Sequence, residues 1–186
     1  MFNPKIIPSR LITDGAILVC DVDYSLGFPV AAGVLFQDWD STECALITIK
    51  LTDVEEYESG AFYKRELPCI LALLDWVEVK LGCIVVDGYV HLGDDKHDGL
   101  GAYVNKQTGI PVIGVAKTYF KGTPDECQVV RHGTKPLYVT SIGGDEAAAR
   151  SCIETMHGNF RIPTMLRRVD QACRDSVFHA ESTVQV

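Results

Sequence analysis

The chain has 186 residues, 47% of them hydrophobic and 23% charged, which is material for one compact domain with a sizeable core and too little for two large ones. Its 17 Lys plus Arg against 25 Asp plus Glu give a formal charge of −8, which excludes a general attraction to polyanions and makes any nucleic-acid site a local one. Seven scattered Cys, with no C-x-x-C pair, exclude a zinc ribbon or a stapled scaffold and are expected to be reduced core residues of a cytoplasmic protein. No apolar segment is long enough for a membrane span, and neither a signal peptide nor an anchor is expected.

Ala16 to Cys20 is a β-rich apolar run that leads into Asp21-Val22-Asp23-Tyr24-Ser25 and predicts the first strand. Phe28 to Phe36 and Cys44 to Leu51 predict two more, joined through the polar turn Gln37 to Ser41, so the three form an antiparallel meander. From Ala61 to Lys80 apolar residues follow helical spacing at Leu67, Ile70, Leu71, Leu74, Val77 and Leu81, predicting a long amphipathic helix. Pro68 belongs to its first turn or to a kink, and Gly82 ends it. Cys83 to Asp87, apolar up to its closing acid, reads as a strand buried on both faces.

The polar stretch His91 to Asp98 is irregular; a short helix from about Gly99 to Gln107 and a second buried strand, Val112 to Val115, follow it. Gln128 to Arg131 and Leu137 to Thr140 are expected to pair as a hairpin or edge. Asp145 caps a helix to about His157, and a last helix follows Pro163. Strands first in antiparallel succession, then alternating with helices, imply an α/β mixed sheet flanked by helices, in a single domain over residues 1–186. The chain lacks G-x-G-x-x-G after its first strand, and it has no P-loop and no G-x-S-x-G elbow.

Acids stand where such a sheet brings distant segments together. Asp23 ends the first strand, Glu66 lies in the first turns of the long helix, Asp87 closes the buried strand and Asp170 lies on the last helix. Asp21 and Asp23, two apart, share one face of a regular strand. Each acid has an ordinary reading as well: Asp87 before Gly88 suits a turn, and Glu66 suits a helix start. Carboxylates that converge repel one another, and a hard divalent cation with oxygen ligands relieves this, Mg2+ being the natural candidate with Mn2+ as substitute. One or two such ions can activate water for phosphodiester hydrolysis, which hints at a nuclease.

The blocks Asp21-Val-Asp-Tyr-Ser, Tyr63-Lys-Arg-Glu-Leu-Pro, Ile84-Val-Val-Asp-Gly, Ile110-Pro-Val-Ile-Gly-Val-Ala-Lys-Thr, Lys135-Pro-Leu-Tyr-Val-Thr and Arg161-Ile-Pro, in this order, resemble endonuclease V. The resemblance implies a ribonuclease H-like fold and magnesium-dependent cutting of DNA or RNA near deaminated purines, mainly inosine, at the second phosphodiester bond on the 3′ side. It further implies Asp23 and Asp87 as metal-binding aspartates, with Glu66 and Asp170 completing the shell or orienting water. Lys117 would meet the scissile phosphate. Tyr57 would be the wedge that enters the helix, Gly60 would help frame the flipped base, and Gly88 would lie at the base. No organic cofactor and no membrane partner are implied.

Two stretches depart from the family pattern. Glu56 and Glu58 replace residues beside Tyr57, where prolines are the rule, and the segment after Asp87 is longer and more acidic. There Val90 is expected to narrow the base pocket, and His91 and His97 are candidates to replace a missing histidine. Lys64, Arg65, Lys117, Lys121, Arg161, Arg167 and Arg168 are expected to form a local basic rim. Two other readings stay open: a non-catalytic nucleic-acid or protein-binding module on the same scaffold, and a metal-dependent nuclease with a different structural substrate.

Overall fold

Period-two alternation sorts the apolar residues of the central strands onto two faces, and the helices follow them. The computed structural model describes residues 15–52, 62–175 and 180–182. In chain order the elements are β1 (Ala16–Asp23), β2 (Val30–Phe36), β3 (Ala45–Leu51), α1 (Phe62–Leu74), β4 (Leu81–Asp87), β5 (His91–Leu92), β6 (His97–Asp98) and α2 (Leu100–Thr108). They continue with β7 (Val112–Ala116), a short 3-10 turn (Asp125–Cys127), β8 (Gln128–Val129), β9 (Leu137–Ile142), α3 (Glu146–Thr155), α4 (Thr164–Arg174) and β10 (Ala180–Ser182).

Eight strands make one mixed sheet in the order β10-β3-β2-β1-β4-β7-β9-β8. The β1–β2–β3 meander is antiparallel, β1, β4 and β7 are mutually parallel, and β9 returns antiparallel to β7. Ile17, Val19, Cys83, Val85, Ile113 and Val115 face one way and pack under α3 and α4, through Ala149, Ile153, Leu166 and Val169. Cys20, Val22, Ile84, Val86 and Val112 face the other way, under α1 and α2, through Cys69, Ile70, Leu73 and Val104. The mixed α/β sheet flanked by helices is therefore the observed architecture. Among the described residues no helix is long and apolar enough to cross a membrane, and all seven cysteines are free.

Three details differ from the sequence reading. Helix α1 stops at Leu74, not Lys80: Trp76 and Val77 donate to Leu73 and Leu74, three residues back, which tightens and closes the last turn. Trp76 and Val79 beyond it are 48% and 47% exposed, so nothing on this stretch is buried to carry the helix onward, and Leu81 opens β4 instead. The irregular stretch after Asp87 contains a two-stranded ribbon, β5 with β6. Beside β3 lies a parallel strand, β10, that no alternation in the sequence announced.

One close approach fixes the turn that ends β4. Gly88, at φ +144°, leaves the sheet with its N–H still on Val115 O (3.2 Å), and the chain then crosses the face of β7 at Gly114. A methyl group on Gly114 would lie 2.6 Å from Gly88 O and 2.7 Å from the Val90 nitrogen. Gly114→Ala is therefore expected to cost about 1–3 kcal/mol in urea denaturation, as other overpacked sites do, and to push Asp87 out of place. A variant as stable as the parent would contradict this packing.

Candidate active site

The two strands that carry the central acids share a pattern and a register. Val19-Cys20-Asp21 on β1 runs parallel to Val85-Val86-Asp87 on β4, with Val19 opposite Val85 and Cys20 opposite Val86. Asp21 and Asp87 are the next residues of each, so their carboxylates emerge side by side where the apolar ladder ends, on the face covered by α4. That helix buries Leu166, Val169 and Cys173, and the same turns carry Asp170 to the carboxylates. Asp21, Asp87 and Asp170 each offer one oxygen, all within 4.8 Å of one another; among the described residues this is the one such group of potential metal ligands.

Two further groups close the site. Lys117, directly after β7, lies between the acids: its Nζ donates to Asp87 Oδ2 (2.5 Å) and to Asp170 Oδ1 (3.4 Å). Glu66 comes from the opposite layer. It occupies the inward stripe of α1 with Cys69, Ile70 and Leu73, and is 4% exposed, a place where an unpaired charge is costly. Burial first, then the charges of Asp21 and Asp87, push its carboxyl up to about 9. Burial and then Asp87 push Asp21 up to about 7, against the pull of Lys117. Burial alone would lower the Lys117 pKa, but its ion pairs with Asp87 and Asp170 and the nearby charge of Asp21 outweigh that and raise it. A pocket in which carboxylates hold protons near neutral pH is short of positive charge, and an oxygen-liganded divalent cation would supply it.

Asp23 is the sequence candidate that the structure does not bring to this group. It follows Asp21 by two residues on the same face, and at about 3.3 Å per residue it projects beyond the end of the β1–β4 ladder. Its Oδ1 instead accepts from the Ser25 backbone N–H (2.8 Å) and from the Ser25 hydroxyl, and Arg174 Nε lies 3.8 Å from Oδ2. Asp21 takes the place expected of Asp23. The signal is present in the matched Val-x-Asp endings of β1 and β4, whose register sets Asp21 beside Asp87.

The other expectations divide. Asp87, Lys117 and Asp170 meet as described, and Glu66 is buried near enough for the charges of Asp21 and Asp87 to act on it. Gly88 lines a cavity of about 210 Å³ beside Asp87, together with Tyr63, Tyr89, Leu92, Asp98, Gly99 and Leu100. Val90 does not narrow this cavity: it is fully buried in the core, where its Cγ2 stands over Gly101. His91 and His97 face Asp98 and Asp95, each at 3.9 Å, and not the carboxylate group. Tyr57 and Gly60, with Glu56 and Glu58, lie outside the described residues. Of the expected basic rim, Arg161 donates to Lys117 O (2.5 Å) and Pro136 O (2.7 Å), Arg168 donates to Thr42 O (2.9 Å), and Arg65 lies 3.5 Å from the Tyr24 ring centre. These arginines hold the fold together at least as much as they face outward.

Comparison with known proteins agrees with the architecture and with the family resemblance. The family model for endonuclease V matches residues 5–157. Endonuclease V of Streptomyces coelicolor is 31% identical over 140 residues, 63% of this chain and 59% of the relative, so the chain spans less than two thirds of that protein's length. The crystal structure of endonuclease V from Streptomyces avermitilis superposes with a TM-score of 0.66 at 29% identity, over 86% of this chain and 80% of that one. Endonuclease V of Ciona intestinalis, solved with a 23mer DNA containing an inosine followed by a ribo-adenosine, gives 0.66 at 16% identity, over 87% and 85%, a likeness of fold. The mixed sheet is thus of the ribonuclease H-like type, and the chain belongs to the endonuclease V family.

Proposed function

We propose that this chain is a magnesium-dependent endonuclease that hydrolyses a phosphodiester bond in inosine-containing DNA or RNA, a nucleic-acid repair activity of the cytoplasm. The observation that carries the proposal is the meeting of Asp21, Asp87 and Asp170 within 4.8 Å, with Glu66 buried beside them, in a member of this family. The donor set is all oxygen and formally −3 before Glu66 is counted, which suits Mg2+ or Mn2+ and not a softer metal. Asp21, Asp87 and Asp170 would hold the ion, which would supply a water activated for attack and neutralise charge at the scissile phosphate.

The residues around it do the rest. Glu66 orients the attacking water and can hold a proton at its carboxyl in so dry a position. Lys117 would direct Nζ to a phosphate oxygen on which charge develops. Gly88 and the cavity beside Asp87 take the base, and Tyr57 and Gly60 are assigned to the wedge and to the frame of the flipped base from the family resemblance. Asp23 serves the turn at Ser25 and not the metal.

Activity on a labelled oligonucleotide with one inosine tests this. With Mg2+, Asp21→Ala and Asp87→Ala are expected to bring cleavage to background, Lys117→Ala to reduce it by about 10²–10³-fold, as loss of one charge-stabilising donor does elsewhere, and Asp23→Ala to leave most of it. Cleavage that survives Asp21→Ala but not Asp23→Ala would reverse the assignment of the two aspartates. A parent protein that leaves inosine strands intact yet cuts flaps or junctions would transfer the activity to a different structural substrate.

The raised carboxyls also set a pH dependence. Asp21 moves from 3.8 to about 7 and Glu66 from 4.5 to about 9 on folding, so between those values the folded chain holds protons that the unfolded chain has lost. Their contribution to stability is present in full at acid pH and is lost as pH rises through 7 and then 9. The metal-free melting temperature should therefore fall from pH 5 to pH 9, Glu66→Gln should flatten the decline, and Mg2+ should raise it more at pH 8 than at pH 5. Equal metal stabilisation at both pH values would count against the carboxylate site.

A further inference from the structure

We infer that Tyr119 and Phe120, with Phe160 exposed on the neighbouring loop, form a stacking surface for unpaired bases next to the candidate cleavage site, so that this chain engages a strand through the faces of its bases. The inference rests on the reading of the chain as a nucleic-acid enzyme and names which form of nucleic acid it grips. Large aromatic side chains normally bury their rings, yet Tyr119, Phe120 and Phe160 are 56%, 44% and 61% exposed. All three lie in the two loops that border Lys117, and the loops are tied together by Arg161, whose Nη2 donates to Lys117 O (2.5 Å).

These rings are presented on fixed backbone. Tyr89, which lines the cavity beside Asp87, donates through its hydroxyl to Thr118 O (2.8 Å) and accepts from the Phe120 N–H (3.1 Å). Gly122 N–H donates to the Tyr119 hydroxyl (3.1 Å), and Thr123 N–H to Phe120 O (3.0 Å). On the other loop, Arg131 donates to the carbonyls of Glu154, Met156 and Gly158, and the guanidinium of Arg167 lies 4.7 Å from the Phe160 ring centre. The rings of Tyr89 and Phe120 are 6.2 Å apart, Tyr89 and Tyr138 6.4 Å, and Tyr138 and Tyr119 5.7 Å. A run of aromatic rings therefore leads from the mouth of the cavity to the outer surface.

Charge decides the kind of contact. Asp94 stands against Gly122, where an added methyl would meet its Oδ1 at 2.8 Å, and the formal charge of the whole chain is −8. Lys117 and Lys121 are the cations of the loop that carries the two rings, and beside them a base stacked on a ring adds a gain that salt does not weaken. Bases in a duplex already stack on their neighbours and have no free face to offer. The partner that fits is a strand whose bases are unpaired beside the scissile bond.

The test uses the full chain without divalent cation, so that nothing is cut, and a labelled 15-nucleotide strand of mixed sequence without inosine, alone or annealed to its complement. The single strand is expected to bind more tightly than the duplex. Combined Tyr119→Ala and Phe120→Ala should weaken single-strand binding about tenfold or more, with the slope against salt concentration unchanged and duplex binding unaffected, while Tyr119→Phe keeps the parent affinity. As a check independent of folding in the variants, 2-aminopurine in the strand should be quenched on binding the parent protein. Equal loss on both forms, no loss on the single strand, or no quenching would overturn the inference. Because neither inosine nor cleavage is read, the outcome is separate from that of the proposed activity.

Discussion

Two aspartates set next to each other by a parallel strand pairing are the constraint on which the site depends. The register that places Val19 against Val85 and Cys20 against Val86 leaves Asp21 and Asp87 no choice but to stand together, since a shift by one residue would turn every apolar side chain of β1 to the wrong layer. The core below thus enforces a repulsion above. Part of it is offset by Lys117 between Asp87 and Asp170, and part by protons held on Asp21 and Glu66. Each of these arrangements is provisional, because a doubly charged cation would serve the same carboxylates better than one ammonium group can.

The acids come from different layers, which is why the geometry is firm. β1 and β4 give two, α4 on one face gives a third, and α1 reaches from the opposite face with Glu66. Helix α1 surrenders one position of its buried stripe to do so, and its neighbours Cys69, Ile70 and Leu73 keep the helix seated on the sheet. A charge placed on a core-facing stripe weakens the fold locally and is retained only where surrounding groups make use of it. The parts that would select a substrate differ in kind: the β5–β6 ribbon and the loops after β7 and before α4 are short, exposed, and free to vary without disturbing the carboxylates.

Much of this was legible in the chain because burial leaves a period. Runs such as Ile84-Val-Val-Asp and Val112-Ile-Gly-Val announce two-sided strands, and Asp145 caps α3 through Ala148 N–H as its position suggests. Where the period fails, the chain alone does not show the element. Leu81 continues the helical spacing of α1 numerically but belongs to β4, and β10 is three residues whose pairing with β3 is a long-range fact. The choice between Asp21 and Asp23 turns on inter-strand register, which no single strand contains. Val90 stands where the family pattern has a small glycine beside the base pocket, yet the turn at Gly88 sends it into the core over Gly101.

The arginines explain how a chain with so many acids keeps its loops in place. Arg131, buried, gives its guanidinium to three carbonyls at the end of α3, where the helix dipole favours a positive charge, and burial lowers its pKa against the pull of Glu154. Arg161 does the same for Lys117 O and Pro136 O. Cations spent on carbonyls are not offered in full to phosphates, so Arg131, Arg161 and Arg168 add less to a rim than their number suggests. Recognition in such a protein has to draw on contacts that carry no charge, and the exposed rings that flank Lys117 are the groups on this surface able to make them.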